Sequence, residues 1–240
     1  MTETAGYLLG GRVRYAQPGQ GFRSGIEPVL LAASIPARPG QNVLEGGSGA
    51  GAALLCLAAR VAGLRGTGIE QDERLVELAA ANAAANKWPA LQFIRADLGA
   101  LPDLGAFDHA CANPPYHPTG GTASPDPSRR AAKRAPPGLL ALWAAALAKP
   151  LKPRGTLTFI LPAAQLPAAT AGFAAAGCAA TVMLPLWPRA GQPAKLILLR
   201  GVKSGKTPLR IHAGVVLHQA DGAFTPDAAA ILRGGGRLAL

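Results

Sequence analysis

Four residues near the middle of the chain, Asn113-Pro114-Pro115-Tyr116, bring together groups that can handle a planar amine. Two consecutive prolines restrict the backbone and remove two N–H donors, while their carbonyls remain as acceptors aimed in a set direction. The Asn113 amide oxygen is a further acceptor, so the pair suits the two N–H bonds of a planar nitrogen. Tyr116 offers a flat face for stacking, an interaction that contributes about 1–3 kcal/mol per base. As catalytic residues, Asn113, Pro114, Pro115 and Tyr116 would accept the nitrogen's hydrogens, localise its lone pair and hold its ring. The bland alternative is a proline-rich turn without chemistry.

A second group could hold a nucleoside cofactor. The run Glu45-Gly-Gly-Ser-Gly-Ala-Gly51 lies between a short apolar stretch and a longer one. Glycines let the backbone turn sharply and approach a ligand closely, and the helix N-terminus beyond offers free N–H groups. Gly47, Gly49 and Ala52 also satisfy an Ala-ended dinucleotide fingerprint, which keeps a nicotinamide or flavin enzyme open. An acid at the strand end favours a cofactor with a cationic amino-acid end and repels a pyrophosphate. Glu70 follows nineteen residues after Gly51. A carboxylate there can take both hydroxyls of a ribose. Asp97, in Arg95-Ala-Asp-Leu, could accept from an adenine amino group or serve only as a turn residue. The candidate cofactor-binding set is Glu45, Gly47, Gly49, Gly51, Glu70 and Asp97.

These residues need elements to position them, and apolar periodicity with its breakers supplies the outline. Strands are expected at 41–45, 66–70, 91–95, 107–112, 155–161, 178–186 and 194–200. Helices are expected at 52–62, 72–87 with Asp72 as N-cap, 139–151 and 162–176. A short helix carrying Pro28 in its first turn precedes them. The alternation implies an α/β fold: a doubly wound, mostly parallel seven-stranded sheet with helices on both faces. Every candidate site residue then falls at the carboxyl end of a strand, where such sheets bind ligands. Residues 1–40 read as an N-terminal extension, 41–200 as the catalytic domain and 201–240 as a small β-rich tail packed on it.

Charge divides the chain. Residues 1–108 hold nine Lys/Arg and ten Asp/Glu, whereas residues 109–240 hold fifteen and three. That imbalance suggests a polyanionic partner gripped by the second half. A loop of about twenty residues follows Tyr116, long for a compact domain and hence expected to be functional. It carries Arg129, Arg130, Lys133 and Arg134 as candidates to grip that polyanion. Residues 186–212 add Arg189, Lys195, Arg200, Lys203, Lys206 and Arg210 without an acid, and Trp187 besides. The three cysteines and four histidines fit no metal spacing, so no metal is expected. No apolar run is long enough to span a bilayer and no signal segment is evident, which points to a cytoplasmic protein without a membrane partner. Nothing sets an oligomeric state.

Together, Glu45–Gly51, Glu70, Asp97 and Asn113–Tyr116 resemble the motif series of class I S-adenosylmethionine-dependent methyltransferases acting on exocyclic or amide nitrogens. The resemblance spans about residues 22–200. More narrowly, Phe22-Arg-Ser-Gly-Ile-Glu-Pro-Val-Leu-Leu-Ala and His218-Gln-Ala-Asp-Gly-Ala-Phe-Thr-Pro-Asp-Ala are similar to stretches of the bacterial valine-tRNA adenine-37 N6-methyltransferase family. Glu45 and Glu27 stand where that family usually has Asp. The resemblance implies S-adenosyl-L-methionine as cofactor, an RNA partner, specifically a tRNA, and methylation of an adenine N6 at anticodon-loop position 37. The motifs alone imply only a planar N–H nucleophile. A protein glutamine methyltransferase, a guanine-N2 RNA methyltransferase and a non-catalytic RNA-binding module stay open.

Overall fold

The computed structural model describes residues 3–19, 25–115 and 138–238. The chain opens with a hairpin, β1 (Glu3–Leu8) and β2 (Val13–Pro18), before helix α1 (Glu27–Ser34). Then come β3 (Asn42–Gly46), α2 (Ala52–Arg60), β4 (Arg65–Glu70), α3 (Glu73–Ala85), β5 (Leu91–Arg95) and β6 (Phe107–Ala112). The second half holds α4 (Leu139–Ala148), β7 (Leu151–Pro162), α5 (Leu166–Ala175), β8 (Cys178–Trp187) and β9 (Leu196–Lys203). The tail contributes β10 (Arg210–Ile211), β11 (Val215–Val216) and α6 (Pro226–Leu232).

The main sheet runs β5-β4-β3-β6-β7-β9-β8, with β10 and β11 both paired to β8. The first five strands of that order are mutually parallel, and β9 is antiparallel to both neighbours. Seven long strands thus form the expected mostly parallel sheet, and the tail extends it to nine. Helices cover both faces. One apolar cluster joins α1 and α2 to the hairpin and the tail, through Leu30, Leu31, Leu54, Leu55, Val13 and Ile231. The other lies under α4 and α5 around Phe107, Phe159 and Phe173. β3 and β6, at the middle of the sheet, are buried almost throughout, so their polar residues Glu45 and His109 are buried as well.

Chain order reverses at β3. The chain winds outward through β4 and β5, then returns to lay β6 on the opposite side of β3, where Gly46 is the register partner of Ala112. The loops leaving these two strands must therefore diverge from adjacent points, which creates the ligand crevice of this sheet class.

Two elements were not expected. The hairpin has an almost wholly exposed first strand, so it shows no buried stripe in the sequence. Two helix side chains hold it. On α3, Asn86 accepts from the Arg14 N–H at 2.9 Å and donates to the Arg14 carbonyl at 2.7 Å. One turn earlier, Asn82 accepts from the Ala16 N–H at 2.8 Å and donates to the Ala16 carbonyl at 2.9 Å. The two amides act as a further strand against the edge of β2. Asn82 also donates to the Ala50 carbonyl at 3.0 Å, inside the glycine turn. The other unexpected element is α6, capped by Thr225, whose hydroxyl accepts from the Ala228 N–H.

Asn82 is buried with its amide fully engaged. Asn82→Ala should destabilise the fold by about 1–3 kcal/mol, the range for buried polar groups left without a partner. Urea denaturation measures this; an unchanged midpoint would show that Asn82 carries no such tie.

Candidate active site

The glycine turn begins where β3 ends. The Ser48 N–H bonds the Ile69 carbonyl of β4 at 3.0 Å, and the Gly51 N–H closes on Ser48 at 2.9 Å. Gly47 has φ +65°, where an L side chain is strained, and an added Cβ would lie 2.6 Å from Trp143 Cη2. Gly49 also has positive φ, but a Cβ there would meet nothing within 4 Å, so its open side faces free space.

Glu70 ends β4 half-buried beside this turn. Its Oε2 accepts from the Gly49 N–H at 2.9 Å, and its Oε1 from the Gln71 and Asp72 N–H groups at 2.8 and 3.1 Å. The helix cap of α3 is supplied by Asp72, which accepts from the Arg74 N–H. Glu70 is therefore not consumed as a cap, and its carboxylate is aimed by three backbone donors with lone pairs left over. Asp97 is exposed after β5, and its Oδ1 accepts from the Gly99 N–H at 2.7 Å. That bond caps a 3-10 turn, Leu98–Ala100.

Glu45 turns inward. It is 3% exposed, and its Oε2 accepts from the Leu54 N–H at 3.3 Å, in the first turn of α2. Burial pushes its pKa up to about 8; the Leu54 bond opposes this and the Glu70 charge adds to it. A carboxyl so placed caps the helix under the glycine turn rather than facing solvent.

Across the crevice, Asn113 follows β6. Its Oδ1 is buried and has no hydrogen-bond partner among the described residues. Ser48 Oγ, in the glycine turn, is buried and unpartnered in the same way. Ser48 Oγ packs over Gly68 of β4, inside the protein, whereas Asn113 Oδ1 lies where β6 opens onto the crevice; buried polar atoms are rarely left unsatisfied, so Asn113 is the one placed to meet a ligand. Pro114 is buried and Pro115 exposed. Tyr116, His117, Arg129, Arg130, Lys133 and Arg134 lie outside the described residues.

The basic stretch 186–212 divides by position. Arg200 sits inside the protein: its Nη2 donates to the Ser34 carbonyl and its Nε to Thr158 Oγ1. Burial lowers its pKa to about 10, helped by the Arg237 charge. It holds α1 on the sheet and cannot reach a phosphate. Lys203 pairs with Cys178 at the amino end of β8 and donates to the Lys149 and Leu151 carbonyls, opposite the crevice. Lys206 follows on that side. Arg189 and Lys195 are exposed in the β8–β9 connection, at the same end of the sheet as the crevice, where Leu196 pairs with Pro162, the carboxyl end of β7; Arg189 Nε donates to the Gln219 carbonyl at 3.4 Å. Trp187 donates to the Ala213 carbonyl at 2.9 Å and anchors the tail.

The remaining chemistry-bearing residues are structural. His109 bonds Thr156 and Gln41, and burial lowers its pKa to about 4, so it is neutral. The three cysteines are buried; burial pushes Cys56 up to about 12 and Cys111 well above its ordinary value. Among the described residues no cluster could hold a metal, and no helix is long and apolar enough to cross a membrane. Sequence reasoning missed Asn82, although two asparagines four apart inside a helix, where Asn is a poor former, are a usable signal. It also missed Trp143, for which the sequence holds none.

The donor set fits a nucleoside with an amino-acid end. Gly49 leaves room, and the Glu70 carboxylate stands beside it, bonded to its N–H. Glu45 carries a consequence for stability. The unfolded chain loses this proton near 4.5 and the folded chain near 8. The contribution of its neutral form is thus complete below about pH 4.5 and lost progressively as pH rises to about 8. Glu45→Gln keeps the acceptor for Leu54 but cannot ionise. Its urea midpoint should hold up relative to the native chain as pH rises from 5 to 8; parallel pH curves for the two proteins would contradict the burial of this carboxyl.

Residues 27–135 match the family model of the methyltransferase small domain. A tRNA1(Val) (adenine(37)-N6)-methyltransferase from Aeromonas hydrophila is 29% identical over 206 residues, 85% of this chain and 86% of that protein. Its namesake from Shewanella sediminis is 28% identical over 155 residues, 62% of this chain and 63% of that one. Among solved structures, a predicted O-methyltransferase from Agrobacterium tumefaciens superposes with a TM-score of 0.74 at 21% identity, covering 89% of this chain and 99% of that one. A methyltransferase from Pyrococcus furiosus superposes at 0.58 and 19% identity, covering 80% and 89%. These two likenesses establish the fold. Over residues 27–135 the chain is thus similar to the methyltransferase small domain, and S-adenosylmethionine is the methyl donor that this likeness implies.

Proposed function

We propose that this enzyme methylates the exocyclic N6 amine of an adenine in RNA, with adenine 37 of a tRNA as the substrate position. The observation that carries this reading is the buried, unpartnered Asn113 Oδ1 at the end of β6, next to the glycine turn at the end of β3. The relatives named for adenine-37 N6 methylation support the choice of nucleotide.

An adenine N6 lone pair is delocalised into the ring and is a weak nucleophile. Asn113 Oδ1 and the Pro114 carbonyl accept its two hydrogens and draw the nitrogen toward a tetrahedral shape, which localises the lone pair. Tyr116 stacks on the ring. The base must leave its helical stack to reach this pocket. Bound S-adenosylmethionine supplies an already activated methyl group on a sulfonium. The chain's own residues then act through positioning and electrostatics. The turn Gly47–Gly51, Glu70 and Asp97 hold the donor, and Glu45, expected to face it, instead supports the turn from below. Arg189 and Lys195, with Arg129, Arg130, Lys133 and Arg134, take flanking phosphates.

Asn113→Ala should lower the single-turnover rate of methyl transfer about a hundredfold or more, the usual loss for one aimed polar partner of a developing charge. Donor affinity should stay near that of the native enzyme, because Asn113 acts on the nitrogen as it changes shape. A near-native rate would refute the proposed acceptor pair.

Reversing Arg189 and Lys195 to Glu should weaken RNA binding and reduce the slope of log affinity against log salt by about one for each phosphate no longer neutralised. Lys206→Glu, on the far side of the sheet, should leave both unchanged. Equal effects from the two sets, measured by filter binding across a salt series, would place the RNA elsewhere.

A further inference from the structure

We propose that Trp143 forms one wall of the donor pocket and recognises the adenosine end of S-adenosylmethionine, which rests on the assignment of Gly47, Glu70 and Asp97 to the donor. Trp143 is a half-buried residue of α4, the helix that packs on the sheet face away from α2. Its ring edge lies directly on the glycine turn, with Cη2 2.6 Å and Cζ3 3.2 Å from where a Cβ on Gly47 would stand. One turn further along the helix, Leu147 packs beside Gly46, and Leu98, the residue after Asp97, packs there too. The indole therefore belongs to the same small region as the first glycine of the turn and the turn that carries Asp97. Gly47 is exposed beside it. A wide aromatic surface left half open next to a ribose carboxylate and an adenine acceptor matches a flat nucleoside.

The contact also gives Gly47 a second reason to lack a side chain. Any Cβ there would push the indole out of its place. Trp143 thus couples the shape of the glycine turn to the width of the pocket. It touches the donor and no atom of the target amine, so its removal should act on donor affinity far more than on the chemical step.

The other two tryptophans are placed differently. Trp88 packs against the core on the α1, α2 and α3 face, and Trp187 donates to the Ala213 carbonyl at 2.9 Å. A change of tryptophan fluorescence on donor-site binding should therefore come from Trp143.

The test uses the full chain with S-adenosylhomocysteine as probe, followed by calorimetry and by tryptophan fluorescence, and methyl transfer measured separately across a series of S-adenosylmethionine concentrations. The native protein should bind and change its emission. W143F should bind within about threefold of native but lose that emission change, and W143A should bind about tenfold or more weakly, the loss expected for one aromatic stacking face. W143A should raise the KM for S-adenosylmethionine by a larger factor than it lowers kcat. An emission change that persists in W143F, or native affinity in W143A, would overturn the proposal. Should W143A fail to fold, W143F decides alone. A native protein that binds no S-adenosylhomocysteine would instead overturn the donor-site assignment itself.

Discussion

Everything at the rim depends on the pairing of β3 with β6. These strands are neighbours in the sheet although β4, α3 and β5 separate them in the chain, and Gly46 faces Ala112 across the last rung of their ladder. Side chains on both are buried on both faces, so neither strand can shift register without driving apolar groups into clashes or water. The glycine turn and the Asn113-Pro114 turn are held side by side as a result. In the proposed reaction one end of the crevice takes the methyl donor, and the other presents the acceptor oxygen of Asn113.

That arrangement is stabilised by polar groups placed inside the protein rather than on its surface. Asn82 ties the turn at Ala50 to the hairpin, Glu45 caps α2 from below, and Arg200 holds the Ser34 carbonyl of α1. Each would be costly if unpartnered. The buried side-chain atoms that do lack partners among the described residues are Ser48 Oγ, Arg60 Nε and Asn113 Oδ1, and of these Asn113 Oδ1 lies at the crevice, where β6 ends. Asn82, Glu45 and Arg200 are partnered, while Asn113 Oδ1 is left open toward the crevice. A preorganised site has this distribution, because its polar atoms must already be fixed before the ligand arrives.

Much of this is legible from the residues. The apolar runs at Leu91–Arg95 and Phe107–Ala112 are bounded by clear breakers, and the strands end there. Asp72 reads as a cap, which frees Glu70 for another use. Other features are hidden by interactions that no local pattern encodes. The hairpin depends on two amides of α3, not on a buried stripe of its own. Strand β7 begins at Leu151 because Pro153, Arg154 and Gly155 continue it where they would ordinarily break it. Helix α6 does carry a signal, the pair Thr225-Pro226, but its short length conceals it. Arg200 reads as one charge among six in a basic stretch, yet its neighbours Leu196-Ile-Leu-Leu place it on a central strand with no route to water.

The most direct measurement is the identity of the methylated product. Unmodified tRNA incubated with the enzyme and isotopically labelled S-adenosylmethionine can be digested to nucleosides and read by mass spectrometry. The account predicts label in N6-methyladenosine. Label in N2-methylguanosine, or in a glutamine of an added protein acceptor with none in the RNA, would contradict it.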